Sequence, residues 1–126
     1  MQADFEDVAL LATLHRMSDA ALDALAFGVI AMDADMAVRR YNLHEVQATG
    51  LKAERVLGHH LFTDIAQCMN NYLVAEKFVV ARASGSALDE QLDYVLTWRM
   101  KPTPVKLRLL SAPEVALQYL LLRRAV

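Results

Sequence analysis

An α+β domain is what this sequence predicts: an antiparallel five-stranded sheet with a helical block on one face and an N-terminal helical cap. Three observations carry it. Apolar and polar residues alternate with period two in LDYVLTWRM and again in VKLRL, as half-buried strands require. An apolar run near the start, AFGVIAM, is followed by a polar turn and a second strand-like segment, AVRRY. Between these regions the apolar spacing turns helical, and strands bracketing a block of helices form an α+β architecture.

Taken in order, Asp4 to Met17 place Phe5, Val8, Leu11, Ala12 and Leu14 at helical spacing. Ser18, with Asp19 in the following turn, starts a second short helix through Leu22 and Leu25. Residues 1–25 therefore read as a cap, and 26–126 as the core of one domain. AFGVIAM is rich enough in branched residues for a buried strand, DADM is a turn, and AVRRY returns. Asn42 is placed to cap a helix over 43–48, KAERVLG and LFTDIA add short helical turns, and NYLVAEKFVVARASG is the longest helical pattern, stopped by Gly85. In LDYVLTWRM, Leu92, Tyr94, Leu96, Trp98 and Met100 share one face. VKLRL sets Val105, Leu107 and Leu109 opposite Lys106 and Arg108, and ALQYLLLRR is the final strand.

Composition narrows the function. Apolar residues make up 56% of the chain and charged residues 22%, with 13 Lys+Arg against 15 Asp+Glu. A nucleic-acid surface needs a concentrated positive field, which this balance does not supply, and the Arg123-Arg124 pair is too small to change that. No segment approaches the roughly 18 consecutive apolar residues of a membrane span, and the acidic start MQADFEDVALL is not a signal peptide. No membrane association and a cytoplasmic location are the expectations.

Several site chemistries fall away on spacing. His15, His44, His59 and His60 contain no pair four residues apart on which two imidazoles share an ion, so no metal site is expected. His59 and His60 read as a solvated turn after Gly58. Gly28, Gly50, Gly58 and Gly85 form neither a GxGxxG nor a Walker loop. Cys68 is a lone cysteine: it is either a small core residue or a nucleophile, and no base can be named beside it. An enzyme is not expected.

The stretch YNLHEVQATG leaves two readings open. Tyr41, Glu45 and Thr49 are spaced by four, so their polar ends can point one way. Asn42 and Glu45 also match the capping-box pattern, in which the glutamate only reaches back to the helix start.

Taken together, LDALAFGVIAMD, YNLHEVQATG, ERVLGHHLFTDIAQC and WRMKPTPVKL resemble the photoactive yellow proteins, small blue-light receptors of the PAS fold. The likeness spans almost the whole chain. It implies a chromophore, 4-hydroxycinnamic acid (p-coumaric acid), bound as a thioester to Cys68. Tyr41 and a protonated Glu45 would hydrogen-bond its phenolic oxygen, and Thr49 would support Tyr41. Ile30, Ile65, Ala66, Leu96, Trp98 and Met100 fall where the family lines its pocket. The resemblance further implies trans-cis photoisomerisation, proton transfer from Glu45 and local unfolding, read by a downstream signalling protein, in a monomer or weak dimer. Leu51, Gln67, Met69 and Trp98 depart from the family pattern, as do the loop 69–74 and the glycine-free turn DADM; these bear on colour and recovery rate, not on attachment. The alternative is a PAS-type ligand-binding or interaction module without a chromophore.

Overall fold

The computed structural model describes residues 2–97 and 101–124. Two short helices open it, α1 (Leu10–Arg16) and α2 (Asp19–Asp23), followed by strands β1 (Gly28–Met32) and β2 (Val38–Tyr41). The helical block holds α3 (Leu43–Thr49), α4 (Ala53–Val56), a π-helical turn (Leu61–Ile65), a 3-10 turn (Gln67–Met69) and α5 (Ala75–Ser84). Strands β3 (Leu88–Leu96), β4 (Thr103–Ser111) and β5 (Gln118–Arg124) complete the chain. The sheet is antiparallel throughout, in the order β2-β1-β5-β4-β3. The last strand therefore lies at the centre, inserted between β1 and β4.

Strands β1, β4 and β5 contribute side chains to two cores, one on each face of the sheet. Ile30, Met32, Leu107, Leu109, Leu120 and Leu122 meet the helical block, including Phe62 and Phe78. Val29, Ala31, Leu110, Tyr119 and Leu121 face the other way and are covered by Phe5, Leu10, Leu14 and Leu22. The cap and the helical block thus occupy opposite faces of the sheet. Burial in β3 alternates along Leu88–Leu96, with Leu92 and Tyr94 packed against the inner core and Leu96 buried in it.

Several elements differ from the sequence expectation for identifiable reasons. The first helix starts only at Leu10, because the carbonyls of Phe5 and Asp7 accept from Arg108 Nη1 at 2.8 Å each instead of continuing a helix. Arg108 itself is buried on the outer face of β4, where Nε and Nη2 also donate to Asp89 at 2.9 Å. Arg40 donates to the carbonyls of Leu14 and Met17, to Tyr119 Oη at 2.9 Å and to Asp19 at 2.9 Å. It adds a donor to the Leu14 carbonyl, which also accepts from the Met17 amide, and one to the Met17 carbonyl just past the end of α1. Ser18 caps α2 by accepting from the Ala21 amide at 3.1 Å, as its residue type predicts.

His60 is not a solvated turn residue. Its Nδ1 accepts from the amides of Phe62 and Thr63 at 3.2 Å, while Asp64 accepts from the His60 amide at 3.2 Å, a reciprocal cap on the π-helical turn. α5 begins four residues later than its apolar pattern, since Asn71 accepts from the amides of Leu73 and Val74 in a turn of its own. Gly85 ends α5 at φ 67°, the left-handed position that glycine adopts without steric penalty.

Candidate functional site

Tyr41 closes β2, paired with Ile30 on the inner face of the sheet, and the next residue turns the chain into α3. Asn42 is the pivot of that turn. Its Oδ1 accepts from the amides of Val29 at 2.9 Å and Glu45 at 3.3 Å, and its Nδ2 donates to the carbonyls of Leu22 at 2.9 Å and Phe27 at 3.0 Å. Every hydrogen-bonding direction of this buried amide that these bonds use ties α3 to β1 and to the end of the cap. We expect Asn42→Ala to destabilise the fold by about 3 kcal/mol, the sum of a lost helix cap and of buried backbone groups left unpaired. Urea unfolding checks it; a loss below about 1 kcal/mol would contradict the assignment.

Glu45 and Thr49 lie one turn apart on the inward side of α3. The capping-box reading fails for Glu45, because the Asn42 amide donates to the Val29 carbonyl at 3.1 Å and the Glu45 carboxylate points elsewhere. It is 2% exposed and forms a fork with Arg124 of β5: Nη1 donates to Oε1 at 2.6 Å and Nη2 to Oε2 at 3.2 Å. The carboxylate rests on Gly28 of β1, where an added Cβ would lie 1.8 Å from Oε1. The sequence resemblance implied a hydrogen bond from Glu45 to a guest's phenolic oxygen; in this structure both carboxylate oxygens accept from Arg124.

Tyr41 and Thr49 meet through their hydroxyls at 2.8 Å, and Thr49 Oγ1 donates to the Glu45 carbonyl at 2.8 Å. With its proton so placed, Thr49 accepts from Tyr41. Desolvation pushes the Tyr41 hydroxyl up to about 12, the Thr49 bond and Arg124 opposing and Glu45 reinforcing the shift. The unfolded chain therefore releases this proton first, and stability falls as pH rises from about 10 to about 12. Tyr41→Phe is expected to flatten that alkaline decline in urea midpoints, leaving the part due to Tyr119, whose hydroxyl burial also raises. An unchanged alkaline slope contradicts it.

Cys68 sits half-buried on the 3-10 turn. Its carbonyl accepts from Tyr94 Oη of β3 and from Asn71 Nδ2 at 3.3 Å, so the backbone that carries the thiol is fastened to the sheet. The thiol shares one cavity of about 670 Å³ with Tyr41, Glu45, Thr49 and Arg124, walled by apolar Ile30, Leu51, Ile65, Ala66, Leu96 and Leu122. Of the residues the sequence nominated, Cys68, Tyr41, Glu45, Thr49, Ile30, Ile65, Ala66 and Leu96 line this space. Trp98 and Met100 lie outside the described residues. A second hollow, at the ends of β3, β4 and β5, is lined by Ala26, Asp93, Lys106, Arg123 and Arg124 and contains neither Cys68 nor Tyr41 nor Glu45.

Arg124 and Gly28 were missed. The signal for Arg124 was the period-two run on β5, in which Leu120, Leu122 and then Arg124 face inward. The signal for Gly28 was a glycine inside a strand pattern, a common mark of close approach by another group. Among the described residues no cluster of His, Cys, Asp and Glu could hold a metal ion, and no helix is long and apolar enough to cross a membrane.

The cavity also fits the group that the sequence resemblance implies. A 4-hydroxycinnamoyl thioester asks for a thiol in the wall, an apolar sleeve and hydrogen-bond donors for a phenolic oxygen. Cys68, the aliphatic walls, and Tyr41 with Arg124 supply these types of group, in a volume within the range of small-molecule sites.

No family model matches the chain. It is 37% identical over 100 residues to the photoactive yellow protein of Halochromatium salexigens, covering 79% of each chain. The photoactive yellow protein of Rhodothalassium salexigens is 35% identical over 96 residues, covering 76% of each. Among solved structures, the photoactive yellow protein domain of a sensor histidine kinase from Rhodospirillum centenum matches with a TM-score of 0.82 at 32% identity, covering 90% of this chain and 98% of that one. A PAS domain from Haloarcula marismortui matches at a TM-score of 0.59 and 16% identity, a likeness of fold. The five-stranded antiparallel sheet with its helical block is the PAS fold, and by identity over most of its length the chain belongs to the photoactive yellow protein family.

Proposed function

We propose that this chain is a blue-light receptor that holds a 4-hydroxycinnamoyl group as a thioester on Cys68. The observation that carries the reading is the opening of the one described cysteine into the same apolar cavity as Tyr41, Thr49 and Glu45. The names of the relatives support it. When bound, the group supplies light absorption and a double bond that light isomerises.

The chain's own residues do the rest. Cys68 anchors through sulfur, with its carbonyl fixed by Tyr94 and Asn71 so that the tether cannot drift. Ile30, Ile65, Ala66 and Leu96 exclude water, which strengthens each polar contact inside. Tyr41, kept protonated by burial, is the donor for a phenolic oxygen, and Thr49 holds its hydroxyl in place. Glu45 holds or releases the proton whose movement changes the charge of the cavity. A buried charge parted from its partner costs several kcal/mol, a large fraction of a small domain's stability, so a proton that shifts between Glu45 and the guest changes how well the charges beside Arg124 are matched.

The segment of residues 1–25 is the part to loosen. Besides its apolar contacts it is held by backbone bonds from Arg40 and Arg108 and by Arg123, whose guanidinium lies 4.6 Å from the Phe5 ring centroid. A signalling partner that prefers the loosened form would read the event.

The test is to supply the chain with activated 4-hydroxycinnamate and record the absorption spectrum and intact mass. A visible band and a mass increase of one hydroxycinnamoyl group are expected. A colourless chain of unchanged mass overturns the proposal and favours a PAS-type module without a chromophore.

A further inference from the structure

We infer that Arg124 is the resident countercharge of the cavity. It holds Glu45 as a carboxylate while the cavity has no guest, and it remains as the partner of an anionic guest once Glu45 has taken up the guest's proton.

The first half stands on geometry alone. A guanidinium has donors only and does not lose its charge in proteins. Both Glu45 oxygens accept from it, at 2.6 and 3.2 Å, so a neutral carboxyl group would have to turn its O–H against an N–H. The 2.6 Å contact is in the range of charge-assisted bonds. Gly28 closes the carboxylate from below, leaving Glu45 little room to turn away.

The second half rests on the proposed function, since it concerns a phenolic guest. Among the described residues lining the cavity the ionisable ones are Tyr41, Glu45, Cys68 and Arg124. Leu51 is apolar, so Arg124 is the cation of that set. With Tyr41 protonated and Cys68 joined to a neutral acyl group, Arg124 and Glu45 sum to zero. Adding a bare phenolate would leave one uncompensated negative charge in an apolar space. Adding the neutral phenol does not, and the charge stays balanced if its proton then moves. The phenol O–H bond breaks, an O–H bond forms on a Glu45 oxygen, and Arg124 faces the phenolate. Glu45 is then the neutral donor expected from the resemblance, but made so by the guest.

Infrared difference spectra of the ligand-free protein, labelled in glutamate and compared with Glu45→Gln, read the first half directly. The wild type is expected to show no protonated-carboxyl signal from Glu45, Arg124→Met to gain one, and Arg124→Lys to show none. In the loaded protein, titration of the visible band reads the second half. Arg124→Met should raise the phenol's apparent pKa by about two units, a roughly hundredfold loss of phenolate at a given pH, and Arg124→Lys should restore most of it. A protonated Glu45 in the ligand-free wild type overturns the first half, and an unmoved phenol titration in Arg124→Met overturns the second. Should the chain take up no guest at all, the proposed function falls with the second half, while the ligand-free spectra still decide the first. The lysine variant keeps the charge, so it guards against reading a folding defect of the methionine variant as electrostatics.

Discussion

Cys68→Ala, supplied with activated 4-hydroxycinnamate, is expected to stay colourless and to keep its unmodified mass, while its fold remains intact. The attachment needs a sulfur, and the chain has one cysteine. The substitution should be structurally quiet because the interactions that place residue 68 run through its carbonyl, not its side chain. Cys68 is half-buried beside a cavity, so shortening it opens no sealed void. The loss of stability should stay within about 1 kcal/mol, readable as a small shift of the urea midpoint. The comparison separates chemistry from folding: binding is abolished while unfolding barely moves. A variant that still gains the mass would place the attachment elsewhere and sink the proposed role of the thiol.

Gly28→Ala should strongly destabilise this protein. The new Cβ would stand 1.8 Å from Glu45 Oε1, 2.6 Å from Cδ and 2.9 Å from Cγ. Neither side yields easily. β1 is paired on both edges, with Gly28 opposite Leu122, and the carboxylate is gripped by Arg124. Relief requires either shifting a central strand or breaking the ion pair, and parting a buried pair costs about 3 to 5 kcal/mol. A destabilisation of about 3 kcal/mol or more is expected in urea unfolding. The same substitution in a Glu45→Ala background should cost less than about 1 kcal/mol, so the double-mutant cycle shows a coupling of about 2 kcal/mol or more. Additive effects would mean that the two residues do not collide.

Local patterns in the sequence were reliable where neighbours along the chain decide the structure. The alternation of Leu92, Tyr94 and Leu96, the cap at Asn42, and the stop at Gly85 all depend on a few adjacent residues, and each appears in the fold. The first helix was overextended because its opening turns are shaped by Arg108, about a hundred residues away in sequence, which claims their carbonyls. The same distance hid the site's cation. Tyr41, Glu45 and Thr49 announce themselves by a spacing of four, but Arg124 reaches Glu45 across 79 positions. It does so only because β5 slots between β1 and β4, a pairing that no local pattern encodes. At the sequence level Arg124 read as one half of an inconsequential basic pair near the terminus.

That pair has a mechanical meaning. Successive residues of a strand project to opposite sides, so Arg124 reaches inward to Glu45 while Arg123 reaches outward over Phe5. One peptide unit thus links the interior acid to the first residues of the chain through the thickness of the sheet. Displacing the end of β5 would therefore bear on contacts on both sides of the sheet at once, the acid within and the first residues of the chain without.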